Sequence, residues 1–464
     1  MDTVVLINPP GRHVYLRDYY CSKISKGSYC YQPSDFVVLS GILSQKFNIR
    51  IIDCIAEGIS IQAALLRVAA CKPAAVVFLT GAVSFEEDRI FMARVKAETG
   101  AMMVGLGDIF LDDAADILGA EGWLDAACLD FTSTDLLRYL SGERDSLANM
   151  VYKSGEGVAV TPLDSGDHTW RIPLPRHDLF NMKAYSFPFM RRHALATMIT
   201  NFGCTHQCSY CPAARFSYKE RPVEDLSQEF ELLRRIGVRE IFFKDQVFGG
   251  APDRIQAICK KLIDGRFDFG WVAFLRPETA SAELLSCMKK AGCHTIMFGV
   301  ESADENMLRR YKRQYDVAFI QEVFKTCRAL NIETVATFIL GLPGEDERSV
   351  KNTIKLSQSL GCDYASFNIF TPAYGTELRR ELIDKGLIKI DDRVFMDSGV
   401  SYPAQSFSAL RPDELWRWRV EAVGAFYFRP GYLWSRLVKM RDLFRIKSAL
   451  REFHMILWSL KRAK

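Results

Sequence analysis

Apolar and polar positions along residues 1–142 fall into a repeating strand-and-helix pattern. Short apolar or β-branched runs occupy 3–8, 48–53, 74–79, 102–105 and 126–129. Helical spacing recurs near 36–45, 61–71, 86–99, 112–118 and 134–141. Apolar strands joined by helical crossovers predict an α/β fold: an open, doubly wound parallel sheet with helices on both faces. Ligands of such sheets sit beyond the strand C-termini, where Pro9-Pro10-Gly11, Thr80-Gly81 and Gly105-Leu106-Gly107 lie. No G-x-G-x-x-G opens the first helix, which argues against a dinucleotide. Residues 143–192 carry Gly155, Gly157, Pro162, Gly166, Pro173 and Pro175 and read as a connector with a hairpin at 149–160. Residues 193–375 then alternate six more times. Strands are expected near 195–200, 240–243, 269–274, 295–300, 334–340 and 365–369. Helices are expected near 224–235, 254–264, 282–291, 317–330 and 347–360. Residues 376–464 read as a mainly helical segment.

Composition narrows the classes. With 48% hydrophobic and 25% charged residues the chain is globular, neither disordered nor collagen-like. Sixty Lys+Arg against 56 Asp+Glu give +4, too balanced to imply nucleic acid. MDTVVLINPP lacks a basic start followed by a long apolar run, and the most apolar stretch, 74–83, is too short to span a bilayer. A cytoplasmic location is the expectation, and there cysteines serve as thiols or metal ligands.

Thirteen cysteines are present. Most are scattered through apolar segments, Cys54 and Cys327 among them, and read as small core residues. Cys204, Cys208 and Cys211 differ: they form C-x3-C-x2-C directly after an apolar strand. Three thiolates this close cannot all bridge one another, but they can hold one soft metal centre. A structural zinc takes four protein ligands, and His206 within the loop is a candidate fourth, so a zinc-stabilised scaffold stays open. A [4Fe–4S] cluster on three cysteines instead leaves one iron free to bind a small molecule.

This loop, with Tyr210 just before the third cysteine, resembles the cluster loop of the radical S-adenosylmethionine (SAM) superfamily. The resemblance implies a [4Fe–4S] cluster on Cys204, Cys208 and Cys211, which are then both metal ligands and catalytic centre. It implies that SAM chelates the open iron. An electron from an external flavodoxin- or ferredoxin-like donor cleaves it to methionine and a 5′-deoxyadenosyl radical, which takes a hydrogen atom from substrate. It also implies that residues 193–375 form a partial (βα)6 radical SAM barrel, with reactive groups at the strand C-termini. Two further strand ends match: the acidic-aromatic stretch containing Asp245, and Gly299-Val300-Glu301-Ser302. Gly341-Leu342-Pro343-Gly344-Glu345 ends the fifth strand, and Pro372-Ala373-Tyr374-Gly375-Thr376-Glu377 resembles the stretch that leaves the barrel in these proteins. The expected SAM contacts are Tyr210, Asp245, Glu301, Ser302 and Gly341. Taken alone, Asp245 or Glu301 reads equally well as a helix cap or ion-pair partner.

A five-strand parallel domain ahead of such a barrel resembles the cobalamin-binding subgroup. That subgroup includes class B radical methyltransferases, hopanoid-modifying enzymes and the anaerobic bacteriochlorophyll cyclase. The opening INPPG and residues 35–44 and 51–53 carry this likeness. It implies a flavodoxin-like, B12-binding-type front sheet with cobalamin facing Pro10, Thr80 and Gly105. The chain departs from the pattern in two places. No D-x-H-x-x-G occurs, and His13, the front domain's one histidine, reads as a loop residue. Gly105-Leu106-Gly107-Asp108 stands where G-G-P is common, so a vestigial front domain stays open.

The resulting expectation is cobalamin-dependent methyl transfer to an unactivated carbon of an apolar or bulky small molecule or lipid. A ring-forming or rearranging radical reaction is the alternative; an RNA-modifying radical enzyme is more remote, since no RNA-binding fold is visible. Residues 411–464 hold thirteen Lys+Arg, five Asp+Glu and Trp416, Trp418, Trp434 and Trp458. Helical spacing at 413–428 suggests a cover over the barrel. The basic amphipathic stretch through Arg436, Lys439, Arg441, Arg445, Lys447 and Arg451 fits either a packed helix or peripheral contact with an anionic membrane.

Overall fold

A computed structural model describes residues 1–439 apart from 19–21, 156, 165–167, 314, 390–402 and 404. The front sheet runs in space Asn48–Asp53, Thr3–Asn8, Ala75–Leu79, Met102–Leu106, Ala126–Cys128, Met150–Ser154, Gly157–Val160. Its first five strands are parallel and stand in the order 2-1-3-4-5. This is a doubly wound order, with its switch point between the first and third strands. Val4–Ile7 and Val76–Leu79 are buried on both faces, which is why these strands read as unbroken apolar runs rather than alternating ones. Helices Ile61–Ala70, Phe85–Thr99 and Phe110–Ala120 cover one face. On the other, every residue of helix Ser34–Leu43 is buried, because that helix is packed between the front sheet and the second sheet.

The hairpin at Met150–Ser154 and Gly157–Val160 is not part of a loose connector. Its first strand pairs antiparallel with Ala126–Cys128, so the front sheet has seven strands and extends to residue 160. Met150 and Val151 are buried against this sheet, an association that local turn chemistry does not reveal.

The second, core sheet has six parallel strands in chain order: Leu195–Met198, Glu240–Phe243, Gly270–Leu275, Cys293–Glu301, Glu333–Leu340 and Tyr364–Ile369. Helices Val223–Arg235, Pro252–Asp264, Ala282–Lys290, Val317–Ala329 and Glu347–Ser359 connect them. Asp316 and Asp346 cap the last two through their side chains, accepting from Phe319 N and Ser349 N. Among the described residues the first and sixth strands do not pair, so the sheet is open between them. Helix Pro412–Tyr427 packs along the sixth strand, where the Tyr427 hydroxyl bonds both backbone groups of Ala365. An edge strand is thereby satisfied by a side chain.

The C-terminal strand edges of the two sheets face one another. Asp18, Asp112 and Asp130 all follow front-sheet strands. They pair with Lys244 at 2.7 Å, Arg215 at 3.0 Å and Lys219 at 2.9 Å, all of which follow the first or second core strand.

Candidate functional site

Between these edges lies a cavity of about 550 Å³. Its floor is the inner face of the core sheet, where residues two apart point the same way. Phe242, Phe274 and Met297 form an apolar stretch, followed by Val335, Thr337 and Ile339, then Tyr364, Ser366 and Asn368. The front domain contributes Asp18, Lys23, Lys26, Tyr29 and Tyr31, and the connector contributes Phe187 and Phe189. Helix Pro412–Tyr427 supplies Arg419, Val423 and Tyr427. This helix therefore forms a side wall, while the loop after the first front strand does most of the covering.

Tyr210, Cys211 and Glu301 reach the cavity wall. The cysteine loop is held open by short local bonds: Cys211 N donates to Cys208 O at 3.0 Å and His206 N to Cys204 Sγ at 3.4 Å. Cys208 is buried, and two guanidiniums reach its sulfur, Arg276 at 3.4 Å and Arg313 at 3.7 Å. Burial pushes the Cys204 thiol up and the Cys211 thiol up to about 12. Burial, aided by Arg276, depresses His206 to about 4, so its imidazole is neutral at pH 7. A bound metal reverses the thiol trend, because a coordinating thiol is deprotonated outright. Among the described residues no three His, Cys, Asp or Glu side chains converge as a cage for a single ion. The fit to an iron–sulfur cluster lies in the donor set: three soft thiols in one loop, with two buried cations beside them to offset thiolate charge.

Glu301 sits at φ +65°, where the register with the fifth strand shifts. Such a bulge re-aims a side chain. Its carboxylate meets Arg313 at 3.2 Å and accepts from Tyr210. Burial raises its pKa and Arg313 opposes the rise. Tyr210 stands edge-on to Tyr311, 6.1 Å away.

The other expected contacts are engaged elsewhere. Asp245 is buried and accepts from Thr200 N and Thr200 Oγ1 at 2.6 Å each, and from Asn201 N and Gly249 N at 3.3 Å. Four donors fill a carboxylate's capacity, so Asp245 clamps the entry to the cysteine loop instead of reaching into the cavity. Ser302 accepts from Asp304 N at 3.1 Å and faces Thr353, closing a turn. Gly341, at φ +87°, lets Leu415 approach: a Cβ there would lie 2.8 Å from Leu415 Cδ1. It serves helix docking, not an adenine.

On the front side none of Pro10, Thr80 and Gly105 lines the cavity. Pro10 is buried, the Thr80 hydroxyl donates to Asp88 at 2.8 Å, and Gly105 packs under Phe110. Their strand ends are filled by the chain itself. Arg17 pairs with Asp88 at 2.5 Å, and Ser22 bonds Asp108 beside Gly81. These three residues do not fit a cobalamin site; the cavity wall formed by Asp18, Lys23, Lys26, Tyr29 and Tyr31 is the front domain's open surface at this junction.

Sequence reasoning missed Arg276, Arg313 and Lys26. Arg276 immediately follows the third core strand, the position that singled out Asp245 and Glu301, so that signal was present. Arg313 and Lys26 lie in loops with no local pattern. The basic positions Arg441, Arg445, Lys447 and Arg451, and Trp458, lie outside the described residues. Helix Pro430–Lys439 does expose Leu433, Trp434, Leu437 and Val438. Among the described residues no helix is long and apolar enough to cross a membrane.

The Radical SAM superfamily model matches residues 198–357. An uncharacterised methyltransferase of Pyrococcus horikoshii is 26% identical over 90% of this chain and 92% of its own length. Cytidylyl-2-hydroxyethylphosphonate methyltransferase of Streptomyces wedmorensis is 24% identical over 48% of this chain and 45% of its own length. The anaerobic magnesium-protoporphyrin IX monomethyl ester cyclase of Cereibacter sphaeroides is 25% identical, over 54% of this chain and 40% of its own length. Against these last two, the matched region spans under half the relative. Among solved structures, the radical SAM methyltransferase TsrM of Kitasatospora setae superposes with a TM-score of 0.69 at 16% identity, over 93% of this chain and 89% of that one. The cobalamin-dependent SAM radical enzyme OxsB gives 0.63 at 18% identity, over 88% and 58%. The fold is thus shared along nearly the whole chain. With residues 198–357, the cysteine loop among them, matching the Radical SAM superfamily and methyltransferases among its relatives, this protein is an enzyme similar to the radical SAM methyltransferases.

Proposed function

We propose that the chain is a cobalamin-dependent radical SAM methyltransferase acting on an unactivated carbon of a bulky, largely apolar small molecule. The carrying observation is the placement of Tyr210, Cys211 and Glu301 on the wall of one cavity between the two facing strand edges. A [4Fe–4S] cluster on Cys204, Cys208 and Cys211 would supply the electron that cleaves SAM to a 5′-deoxyadenosyl radical, and cobalamin would carry the methyl group. The chain's own part is positional. Glu301 offers a carboxylate to the ammonium or ribose hydroxyls of SAM, and Tyr210 offers a ring to its adenine. Arg276 and Arg313 hold positive charge beside the thiolate ligands. The aromatic floor and the covering loop keep water and stray hydrogen donors from a radical. Cobalamin, with the named strand-end residues filled, would enter along the wall formed by Asp18, Lys23, Lys26, Tyr29 and Tyr31.

Relatives named as methyltransferases and a likeness in fold to TsrM and OxsB over most of the chain support this reading, while the cyclase relative keeps a ring-forming reaction as its rival. The deciding experiment is anaerobic reconstitution with iron, sulfide and cobalamin, then SAM and a reductant such as reduced flavodoxin. Methyl transfer gives S-adenosylhomocysteine alongside 5′-deoxyadenosine. Deoxyadenosine without S-adenosylhomocysteine would turn the assignment toward ring formation or rearrangement. Absence of both products would remove the radical reading. Peripheral membrane contact through the C-terminal segment has support in the exposed face of helix Pro430–Lys439. Sedimentation with anionic but not neutral vesicles, weakening with salt, is its expected signature.

A further inference from the structure

The C-terminal edge of the front sheet is the ligand edge of a doubly wound fold, and its crevice lies at the switch point between the first and third strands. Arg17, from the covering loop, stands in that crevice. One of its amino nitrogens donates to Asn8 Oδ1 at 2.8 Å and Pro9 O at 2.9 Å, where the first strand ends. Its Nε donates to Ser84 at 3.1 Å, and its other amino nitrogen meets Asp88 at 2.5 Å, in the turn and helix that follow the third strand. Arg17 Nε, Thr80 and Ser84 also donate to Asp88, so this carboxylate has four donors and no place for a ligand. The Arg17 and Asp88 side chains are both 0% exposed. Beside the first strand, Asn8 donates to Asp53 at 2.8 Å and Tyr185 to the same carboxylate at 3.2 Å. The gap between the third and fourth strands is closed as well. Thr80 N donates to Leu106 O at 2.8 Å, which keeps these strands paired one residue beyond Leu79. A Cβ on Gly107 would lie 1.8 Å from Thr80 O. Over the pair, Asp108 accepts from Ser22 N at 2.8 Å and Ala82 N at 3.0 Å. Ser22 packs so closely that a Cβ on Gly81 would lie 2.3 Å from its own. Beyond the fifth strand, Asp130 is held by Lys219 of the core half.

A ligand group could enter this edge only by expelling the loop. Removing Arg17 from Asp88 strands a buried carboxylate, a penalty of about two to three and a half powers of ten in an equilibrium constant. Burying one aromatic base in its place returns about one to two powers of ten. The loop wins that exchange. We propose that the covering loop is a permanent occupant of the front domain's ligand edge, and that a corrinoid is held through its ring alone, with its lower nucleotide unrecognised. This deepens the cobalamin reading and rests on it for the ring. Cobalamin, corrinoids with other lower bases, and cobinamide, which keeps the ring and the cobalt but lacks the nucleotide, then bind alike.

The test titrates hydroxocobalamin and aquocobinamide into the cluster-reconstituted enzyme, with bound corrinoid read by absorbance after ultrafiltration. The two dissociation constants are expected to agree within about threefold. A preference for cobalamin of about tenfold or more, which is what burial of one aromatic ring contributes, would overturn the proposal. Arg17→Met with Asp88→Leu replaces the buried pair by apolar groups of similar size, a change that folded proteins tolerate. This variant should bind both corrinoids as the wild type does. Loss of cobalamin with cobinamide retained would put the nucleotide in the crevice and overturn the proposal too. If the variant does not fold, amide hydrogen exchange of the wild type reads the same point. The amides of Ser22, Thr80 and Ala82 should keep their protection when hydroxocobalamin is added; faster exchange there means that the loop leaves its edge for the nucleotide, against the proposal. Binding of neither corrinoid removes the cobalamin reading. Slow exchange at the same three amides in the enzyme alone then upholds the closed edge, and fast exchange overturns it.

Discussion

At the scale of single residues, two carboxylates that look alike in the sequence have different partners. Asp245 receives four donors from the loop entry, whereas Glu301 faces the cavity with Arg313 and Tyr210. Asp245→Asn turns an acceptor into a donor opposite Thr200 or Asn201. It should cost about 2–3 kcal/mol in denaturant unfolding and reduce cluster loading through the loop, with little change in SAM affinity of the loaded fraction. Glu301→Gln should do the reverse: iron content unchanged, SAM binding weaker by about 1.5–3 kcal/mol by calorimetric titration. Replacing Cys204, Cys208 or Cys211 with Ala should remove most iron, while Cys54→Ala and Cys327→Ala keep it; a full four-iron cluster in Cys208→Ala would refute the ligand set. The cysteines were legible because spacing within one loop is a sequence property. Asp245 and Ser302 were legible as strand-end residues but not in their partners, since Thr200 and Thr353 are 45 and 51 positions away. Lys26 was invisible for the same reason, its acceptors being 340 and 342 positions on.

At the scale of elements, periodicity placed all six core strands and their five helices to within a few residues. Each is amphipathic or wholly buried by its own local pattern. What periodicity could not give was what each turn packs against. The turn from Gly341 to Glu345 is the clearest case. Gly341 N donates to the Glu345 carboxylate, Ser349 Oγ lies 3.4 Å from it, and Ala409 N bonds Glu345 O, tying the turn to the chain that leads into helix Pro412–Tyr427. Gly341→Ala meets both a left-handed backbone and Leu415, and should cost about 1–3 kcal/mol with the helix displaced. Burial raises Glu345 from 4.5 to about 7. Between those values the folded chain keeps a proton that the unfolded chain releases. Stability therefore falls as pH rises from about 4.5 through 7 and is level above, a span of at most about 3 kcal/mol. Glu345→Gln removes this slope, so the variant should gain on the wild type over that interval in urea titrations run at several pH values.

At the scale of the whole molecule, the two sheets share an apolar core and are further joined by ion pairs, and the cavity exists only between them. The sequence foretold two α/β units, each with its ligand edge at the strand C-termini, but assigned the front edge to Pro10, Thr80 and Gly105. The loop that folds back over that edge, carrying Arg17, Asp18, Ser22 and Lys26, has no periodic pattern to announce where it goes. Lys219 and Asp130 test how tightly the halves are coupled. They meet at 2.9 Å with side chains 7% and 8% exposed, one from the cysteine-loop side and one from the front sheet. Asp130 also accepts from Thr132 N at 2.8 Å, so its charge is fixed in place. Lys219→Met strands that carboxylate in a nearly dry junction and should cost about 3–5 kcal/mol. Lys219→Met with Asp130→Leu removes both charges and should recover most of the loss, because a buried pair contributes little beyond its own desolvation. Scanning calorimetry should show a single transition in the wild type, lowered in the single variant and restored in the double. Two separate transitions, with only one moved by Lys219→Met, would mean that the halves unfold independently and that the cavity between them opens without unfolding either.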